Sequence, residues 1–320
     1  LRGLRARALN ELFAEEEQHW RELLHWDYGP SVEMIRRHLE AGSLPGYVAL
    51  RRGVAAGYCF FVYDDDKGLL GDLYVLAAHR QARPGATPAS IATHLLSRAL
   101  ETLEGTPGVR RLEAQLIPFG LEPLEPIFGA HGFRCFLRLF MYKPLQAAGR
   151  SASAREAPAA PGAELRPWED AYFEPMAELI VAAYRRHLDT QINDHYGSVP
   201  GALRFLKNIV LFPGCGVFQP DCSFVAVPTA PPEGALLGAV LSSQVARGIG
   251  HITQLCVRGE WHGRGLGRRL LRAALARLEA KGCHGASLTV TAENRRAVSL
   301  YRGIGFEVIK EFSGYARDLL

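Results

Sequence analysis

The sequence predicts an α/β fold laid down twice in tandem, each copy a mixed, mainly antiparallel sheet flanked by helices. Three observations predict it. An apolar helical stripe of Leu266, Leu270, Leu271, Ala274, Leu275 and Leu278 is matched position for position by Ile91, Leu95, Leu96, Ala99, Leu100 and Leu103. The same order of elements recurs around each stripe. Between the copies, over 144–162, the chain turns to Ala, Pro, Gly and Ser, the composition of an exposed linker.

Two or more helices open each copy, and Trp20 and Trp26 on the first amphipathic segment are expected mostly in the core. A pair of strands follows, 47–50 with 54–63 in the first copy and 224–227 with 235–245 in the second. Asp64, Asp65 and Asp66 read as a solvated hairpin turn. A third strand, 71–76 or 250–257, leads into the striped helix. Another strand (109–117 or 286–291), a short helix ending in Gly132-Phe133 or Gly305-Phe306, and a last strand complete each copy. The strand–helix–strand step implies one parallel pair in each otherwise antiparallel sheet. The domains are therefore placed at 1–145 and 164–320, with a linker at 146–163.

A chain of 320 residues that is 48% hydrophobic can fill two cores. No apolar run approaches the roughly 20 residues of a membrane helix, and the segment 4–24 carries acidic residues where a signal peptide is apolar, so a cytoplasmic protein without membrane partners is expected. The formal charge of +4 is small for this length and argues against nucleic-acid binding. Six cysteines lie scattered with no CxxC pair and no metal-like grouping with histidine, so free, mostly buried thiols and no metal site are expected. The chain opens on Leu1 rather than Met, so its true start, and with it part of a first strand, is expected to be missing.

The stretch Val257-Arg258-Gly259-Glu260-Trp261-His262-Gly263-Arg264-Gly265-Leu266-Gly267 joins a strand to the second striped helix. Its glycines let a ligand approach the backbone, and the N–H groups of the helix start favour an anion, as in a pyrophosphate cradle. A merely tight turn would need the same residues. The surroundings separate the two readings. The stretch resembles the Gln/Arg-x-x-Gly-x-Gly/Ala motif of GCN5-related N-acetyltransferases, with His262 in the Gln/Arg slot followed by Gly265 and Gly267. Downstream, Asn294-Arg295-Arg296-Ala297-Val298-Ser299-Leu300-Tyr301 and Gly305-Phe306 resemble the same family's Asn-x-x-Ala-x-x-Leu-Tyr…Gly-Phe signature.

The resemblance implies two tandem domains of this fold, the second binding acetyl-CoA as cofactor and passing its acetyl group to a primary amine. His262, Gly263, Arg264, Gly265, Leu266, Gly267 and Arg268 would hold the pyrophosphate. Arg272 either joins Arg264 and Arg268 beside the phosphates or belongs to a solvated helix face. The strand before the loop would splay from its neighbour, leaving backbone groups of Leu255, Cys256 and Val257 for the pantetheine arm and thioester oxygen. The Cys256 side chain, alternating away from its neighbours, is expected as a packed thiol. Tyr301 matches the family's general acid, and a phenol with a reference pKa of about 10 stays protonated for the departing thiolate. Asn294 would hydrogen-bond the pantetheine arm or fix the turn after the strand.

For the base, Thr289 stands where many protein-acetylating relatives carry Glu on the fifth strand. His251 occupies the place of the fourth-strand Glu of histone-acetylating relatives. It shares alternation with Thr253, Leu255 and Val257, which would turn it to the cleft, or it is a structural histidine. Glu293 is a second candidate. The acceptor would meet the variable segments 189–196 and 213–216, where Asp189 and Asp194 could receive a cationic amine or merely cap the surface.

In the first copy, Thr87 and Pro88 read as the cap and first residue of the striped helix, without the glycines. Phe128 stands in the place of Tyr301, no Asn matches Asn294, and Glu113 is aligned with Thr289. That copy is expected to be a degenerate, non-catalytic domain. The tandem arrangement is similar to that of mycothiol synthases, which implies a small amino-sugar thiol as acceptor; a protein N-terminus or an aminoglycoside-like amine remains open. The chain is expected to work as a monomer or homodimer. The rival reading is a non-catalytic acyl-CoA sensor or interaction module.

Overall fold

The computed structural model describes residues 1–80, 90–145, 162–211, 214–230 and 235–319. They form two compact units, one of Leu1–Arg138 with Glu311–Leu320 and one of Leu139–Lys310. The first carries α1 (Asn10–Leu24), α2 (Gly29–Glu40), β1 (Gly46–Arg51), β2 (Val54–Asp64), β3 (Lys67–Val75), α3 (Ile91–Glu104), β4 (Arg111–Leu116), α4 (Glu125–Ala130) and the start of β5 (Arg134–Pro144). The second carries β6 (Ala163–Pro167), α5 (Phe173–Tyr184), α6 (Val199–Leu211), β7 (Val217–Phe218), β8 (Phe224–Pro228), β9 (Gly238–Ala246), β10 (Ile249–Val257), α7 (Leu266–Ala280), β11 (Gly285–Thr291), α8 (Arg295–Arg302) and the start of β12 (Glu307–Asp318). Both units are α/β, as the sequence predicts.

In the first unit the strand order is β1-β2-β3-β4-β12, and in the second β5-β11-β10-β9-β8-β6 with β7 on β9. Only β3–β4 and β10–β11 are paired in parallel among the registers described, which is what each helical crossover requires. The compact units depart from the boundaries read along the chain. Residues 311–318 supply the strand beside β4, pairing Ser313 with Leu116 through to Asp318 with Arg111. Residues 139–144 in turn belong to the second unit. Both long strands alternate and follow a Gly-Phe turn, and alternation says which face is buried but not which sheet a strand joins. The linker 146–163 lies outside the described residues up to 161, and its last residue opens β6.

The stripes are the two cores. Leu95, Leu96, Ala99, Leu100 and Leu103 of α3, and Leu270, Leu271, Ala274, Leu275 and Leu278 of α7, are buried against their sheets. The repeat extends to single contacts. Gly68 of β3 lies under Leu103, where a Cβ would meet Leu103 Cδ2 at 2.7 Å, and Gly250 of β10 lies under Leu278, where it would meet Leu278 Cδ1 at 2.6 Å. Both strands carry a bulge three residues further on, at Gly71 and at Thr253, directly past the last parallel pairs Leu70↔Ala114 and Ile252↔Leu288. This register corrects one alignment. Glu113 corresponds to Ser287 rather than Thr289, and it forms an ion pair with Arg111, which also holds Asp318.

Two further expectations change in the first unit. Helix α3 begins at Ile91 with the Ser90 hydroxyl accepting from Thr93 N–H, so Ser90 is the cap; Thr87 and Pro88 lie outside the described residues. Trp20 and Trp26 are half-buried rather than core. Trp20 stacks on Tyr28 at 4.6 Å and meets Phe119 edge-on at 5.5 Å, so the aromatic faces pack on one another beside the core.

The bulge at Gly71 turns Asp72 toward the buried Glu16 of α1. The Tyr58 hydroxyl lies 2.5 Å from Glu16 Oε2 and 3.1 Å from Asp72 Oδ2, while Tyr28 donates to Asp72 at 2.8 Å. Tyr58 has one hydroxyl hydrogen, so the second of its contacts needs a proton on a carboxyl. Burial and the neighbouring Asp72 push Glu16 well above the ordinary carboxylate range. A carboxyl whose value is raised by folding adds stability that is fully present below its unfolded value and is lost as pH rises through the folded one. Thermal unfolding midpoints of the wild type are therefore expected to decline between pH 5 and 8, and Glu16→Gln to reduce that decline by about 2–4 °C; parallel curves for the two proteins would contradict it.

Candidate active site

The site begins where β10 and β11 part. Their pairing runs from Ile249↔Gly285 to Ile252↔Leu288 and stops, although β10 continues to Val257 and β11 to Thr291. The bulge at Thr253 lies at the parting, and it also shifts the phase of β10. Ile252, Leu255 and Val257 pack toward α7, whereas Cys256 packs with Leu241 and Ala239 toward α5 and α6.

That shift corrects the reading of His251. Alternation from Val257 would turn its ring to the cleft, but with one extra residue at Thr253 it lies on the opposite face. There it is buried, with Nδ1 2.8 Å from Ser287 Oγ and its ring 6.1 Å from that of Phe140. Burial pushes its pKa down to about 4, so it is a neutral structural histidine at physiological pH. Glu293 is exposed before α8 and does not line the cleft. Burial pushes the Cys256 thiol up to about 12, which leaves it a packed thiol rather than a nucleophile.

The cleft holds about 360 Å³. Leu255, Cys256 and Val257 form one wall. His262, Gly263, Gly265, Leu266, Gly267 and Arg268 form the turn, and Asn294 and Tyr301 face them from the α8 side. Gly263 and Gly265 have φ of +80° and +81°, and a Cβ at either would meet nothing within 4 Å. Their backbone thus borders open space. Helix α7 starts at Gly265 without a side-chain cap, so its first N–H groups remain for an anion. A pyrophosphate fits this set.

The side chains around the turn have distinct tasks. His262 Nε2 donates to the Val257 carbonyl at 2.9 Å and pins the turn to the strand end. The Arg264 guanidinium lies over the Trp261 ring at 5.0 Å. Arg268 donates to the Gly303 carbonyl at 3.3 Å and lines the cleft, whereas Arg272 is exposed and does not. Asn294 caps α8 by accepting from Ala297 N–H at 3.1 Å, so it fixes the turn after β11. Tyr301 is buried but reaches the cleft wall, braced edge-on by Phe306 at 6.1 Å.

Sequence reasoning missed Tyr184, His187 and Arg296, which also line the cleft. Tyr184 ends α5, His187 caps the 3-10 turn that follows, and neither carries a motif; only the fold brings them over the parted strands. Asp189 was named from the sequence. It accepts from Thr291 Oγ1 at 2.5 Å, while Asp194 opens a separate 3-10 turn and does not line the cleft.

The class this fold and site define is the GNAT acetyltransferase fold in tandem. Residues 184–306 match the model of the Acetyltransferase (GNAT) family, so the second unit carries a GNAT domain. Among curated proteins, the chain is similar to a mycothiol acetyltransferase of Streptomyces avermitilis, 41% identical over 75 residues, and to one of Thermobifida fusca, 39% identical over 69 residues. These matches cover 23% and 22% of this chain and only 24% and 21% of the two relatives. Among solved structures, a GCN5-related N-acetyltransferase from Sphaerobacter thermophilus superimposes with a TM-score of 0.67 at 20% identity, over 99% of this chain and 93% of the other. A tandem GNAT protein of the clavulanic acid biosynthesis pathway gives 0.55 at 18% identity, over 98% and 97%. At such identities the likeness is one of fold, and it spans both units.

The positive φ at Gly265 supplies a test of the cradle. A side chain there costs about 1–2 kcal/mol in backbone strain. Gly265→Ala is expected to weaken CoA binding about tenfold by calorimetry, and an unchanged affinity would place the phosphates elsewhere.

Proposed function

We propose that the second unit transfers an acetyl group from acetyl-CoA to a primary amine of a small molecule or protein. The observation that carries this reading is a single cleft containing the uncapped, glycine-bordered start of α7, the end of β10 where it has parted from β11, and the hydroxyl-bearing Tyr301. The first would hold the pyrophosphate, the second would hold the pantetheine arm and polarise the thioester oxygen, and the third would protonate the leaving sulfur. Backbone donors held in a partly dry cleft need no reorganisation when charge develops on that oxygen.

The first unit is proposed as a non-catalytic copy. Phe128 replaces the phenol, is fully buried, and is stacked at 3.6 Å by Tyr315. The start of α3 is closed by the Ser90 cap, unlike that of α7. Among the described residues no helix is long and apolar enough to cross a membrane. A cytoplasmic location and action as a monomer or homodimer, with neither membrane nor nucleic acid as partner, are part of this proposal. The amino-sugar thiol implied by the mycothiol acetyltransferase likeness is one acceptor to assay; protein N-termini and aminoglycoside-like amines are others.

Incubating the protein with acetyl-CoA and a panel of amines, and following free thiol, separates this reading from a sensor that binds CoA without turnover. Tyr301→Phe is expected to lower kcat by about 10²-fold with little change in CoA affinity. Undiminished turnover in that variant would remove the phenol from the acid role.

A further inference from the structure

The transfer reaction needs a group to take the amine's proton, and the residues that sequence alone offers do not reach the cleft. His251 is turned away by the Thr253 bulge, and Glu293 is exposed outside it. We propose that His187 accepts the proton of the attacking amine and that Asp189 is its positioning residue; this rests on the acetyl-transfer reading above.

His187 lies three residues beyond α5, as the cap of the 3-10 turn Leu188–Gln191, lines the same cleft as Tyr301, and its side chain is 29% exposed, so an amine entering the cleft can touch it. Its ring is held from several directions. Tyr184 packs edge-on at 5.2 Å. Nδ1 lies 3.1 Å from the Asp189 N–H and 3.7 Å from Asp189 Oδ2. Asp189 is itself anchored on the far strand, its Oδ1 accepting from Thr291 of β11 at 2.5 Å. Nε2 lies 3.1 Å from Asn294 Nδ2. The Asn294 amide cannot turn over without losing its cap to Ala297, so it presents hydrogens to Nε2.

A neutral imidazole has one lone pair, and the Asp189 N–H and the Asn294 amide both ask for it. The contacts at the two nitrogens therefore demand opposite tautomers. When Nε2 keeps the lone pair, Nδ1 carries the hydrogen, gives up the Asp189 N–H contact and turns to the Asp189 carboxylate, whose Oδ2 lies 3.7 Å away. That is the arrangement of a histidine base whose tautomer is set through its second nitrogen. The other groups facing this cleft are Tyr184 from α5, Cys256 from β10, His262 from the turn, Arg268 from α7, and Asn294, Arg296 and Tyr301 from the α8 side.

In the step itself the amine nitrogen bonds to the thioester carbonyl carbon and its proton passes to His187 Nε2, displacing the Asn294 N–H contact there. The tetrahedral carbon then expels sulfur with the C–S electron pair, and the sulfur takes the Tyr301 hydroxyl proton. His187 releases its proton to solvent and the Tyr301 phenolate regains one, leaving an amide and a free thiol. The Asp189 carboxylate stabilises the imidazolium in between.

The test compares pH profiles of kcat/KM for the wild type, His187→Gln and Asp189→Asn, with CoA affinity measured separately by calorimetry. The wild type is expected to rise through one ionisation. His187→Gln should fall about 10²-fold at neutral pH and lose that break while still binding CoA. Asp189→Asn should move the break to lower pH, because the carboxylate that favours the imidazolium is gone. A His187→Gln profile of the wild-type shape, at whatever height, overturns the proposal, as does an unmoved break in Asp189→Asn. A wild type that binds CoA but releases thiol with no amine overturns the acetyl-transfer reading and the base together, whereas an active wild type with an insensitive His187 overturns the base alone.

Discussion

The second unit depends on a pairing that ends early. β10 and β11 hold each other for four residues and then separate, leaving peptide groups on the inner edge of β10 without a strand partner. Unpaired main-chain groups in a sheet interior are costly unless a ligand or water takes them up. Everything assembled around the gap serves that need. Helix α7 presents uncapped amides at one end, Tyr301 a hydroxyl at the other, and the end of α5 with its following turn covers the opening through Asp189 and Thr291.

The bulge at Thr253 is the mechanical counterpart of that separation. One extra residue lets β10 stay paired with β9 through Val257↔Gly238 while it leaves β11, and it reverses which side chains face α7. The matching bulge at Gly71 shows the same device in the first unit, where its product is Asp72 buried against Glu16 rather than an open cleft. Two copies thus share a backbone solution and differ in what fills it: ionisable and aromatic side chains in one, empty space in the other.

The elements and the cradle were legible in the sequence because they are written in local patterns. The stripe 266–278, the glycines at 263 and 265, and the spacing from Asn294 to Phe306 each report a nearby constraint. What was hidden depended on events between distant residues. A bulge leaves no mark at Thr253, so counting by twos from Val257 put His251 on the wrong face; the parallel pairing that aligns Glu113 with Ser287, two residues before Thr289, is equally silent along the chain. Tyr184 and His187 carry no motif, since their part depends only on where α5 ends relative to strands more than 60 residues later. The choice of sheet for the last strand has no local signature either.

That last choice has a consequence for how the protein is made. Arg111 and Asp318, joined in one ion pair, are 207 residues apart along the chain. On the ribosome, the outer edge of β4 must therefore wait through synthesis of the whole second unit before its partner emerges. An exposed strand edge is a template for wrong pairing, and such delays favour misassembly between domains. Dissecting the chain at the linker would make the wait permanent, leaving that edge of β4 without its β12 partner.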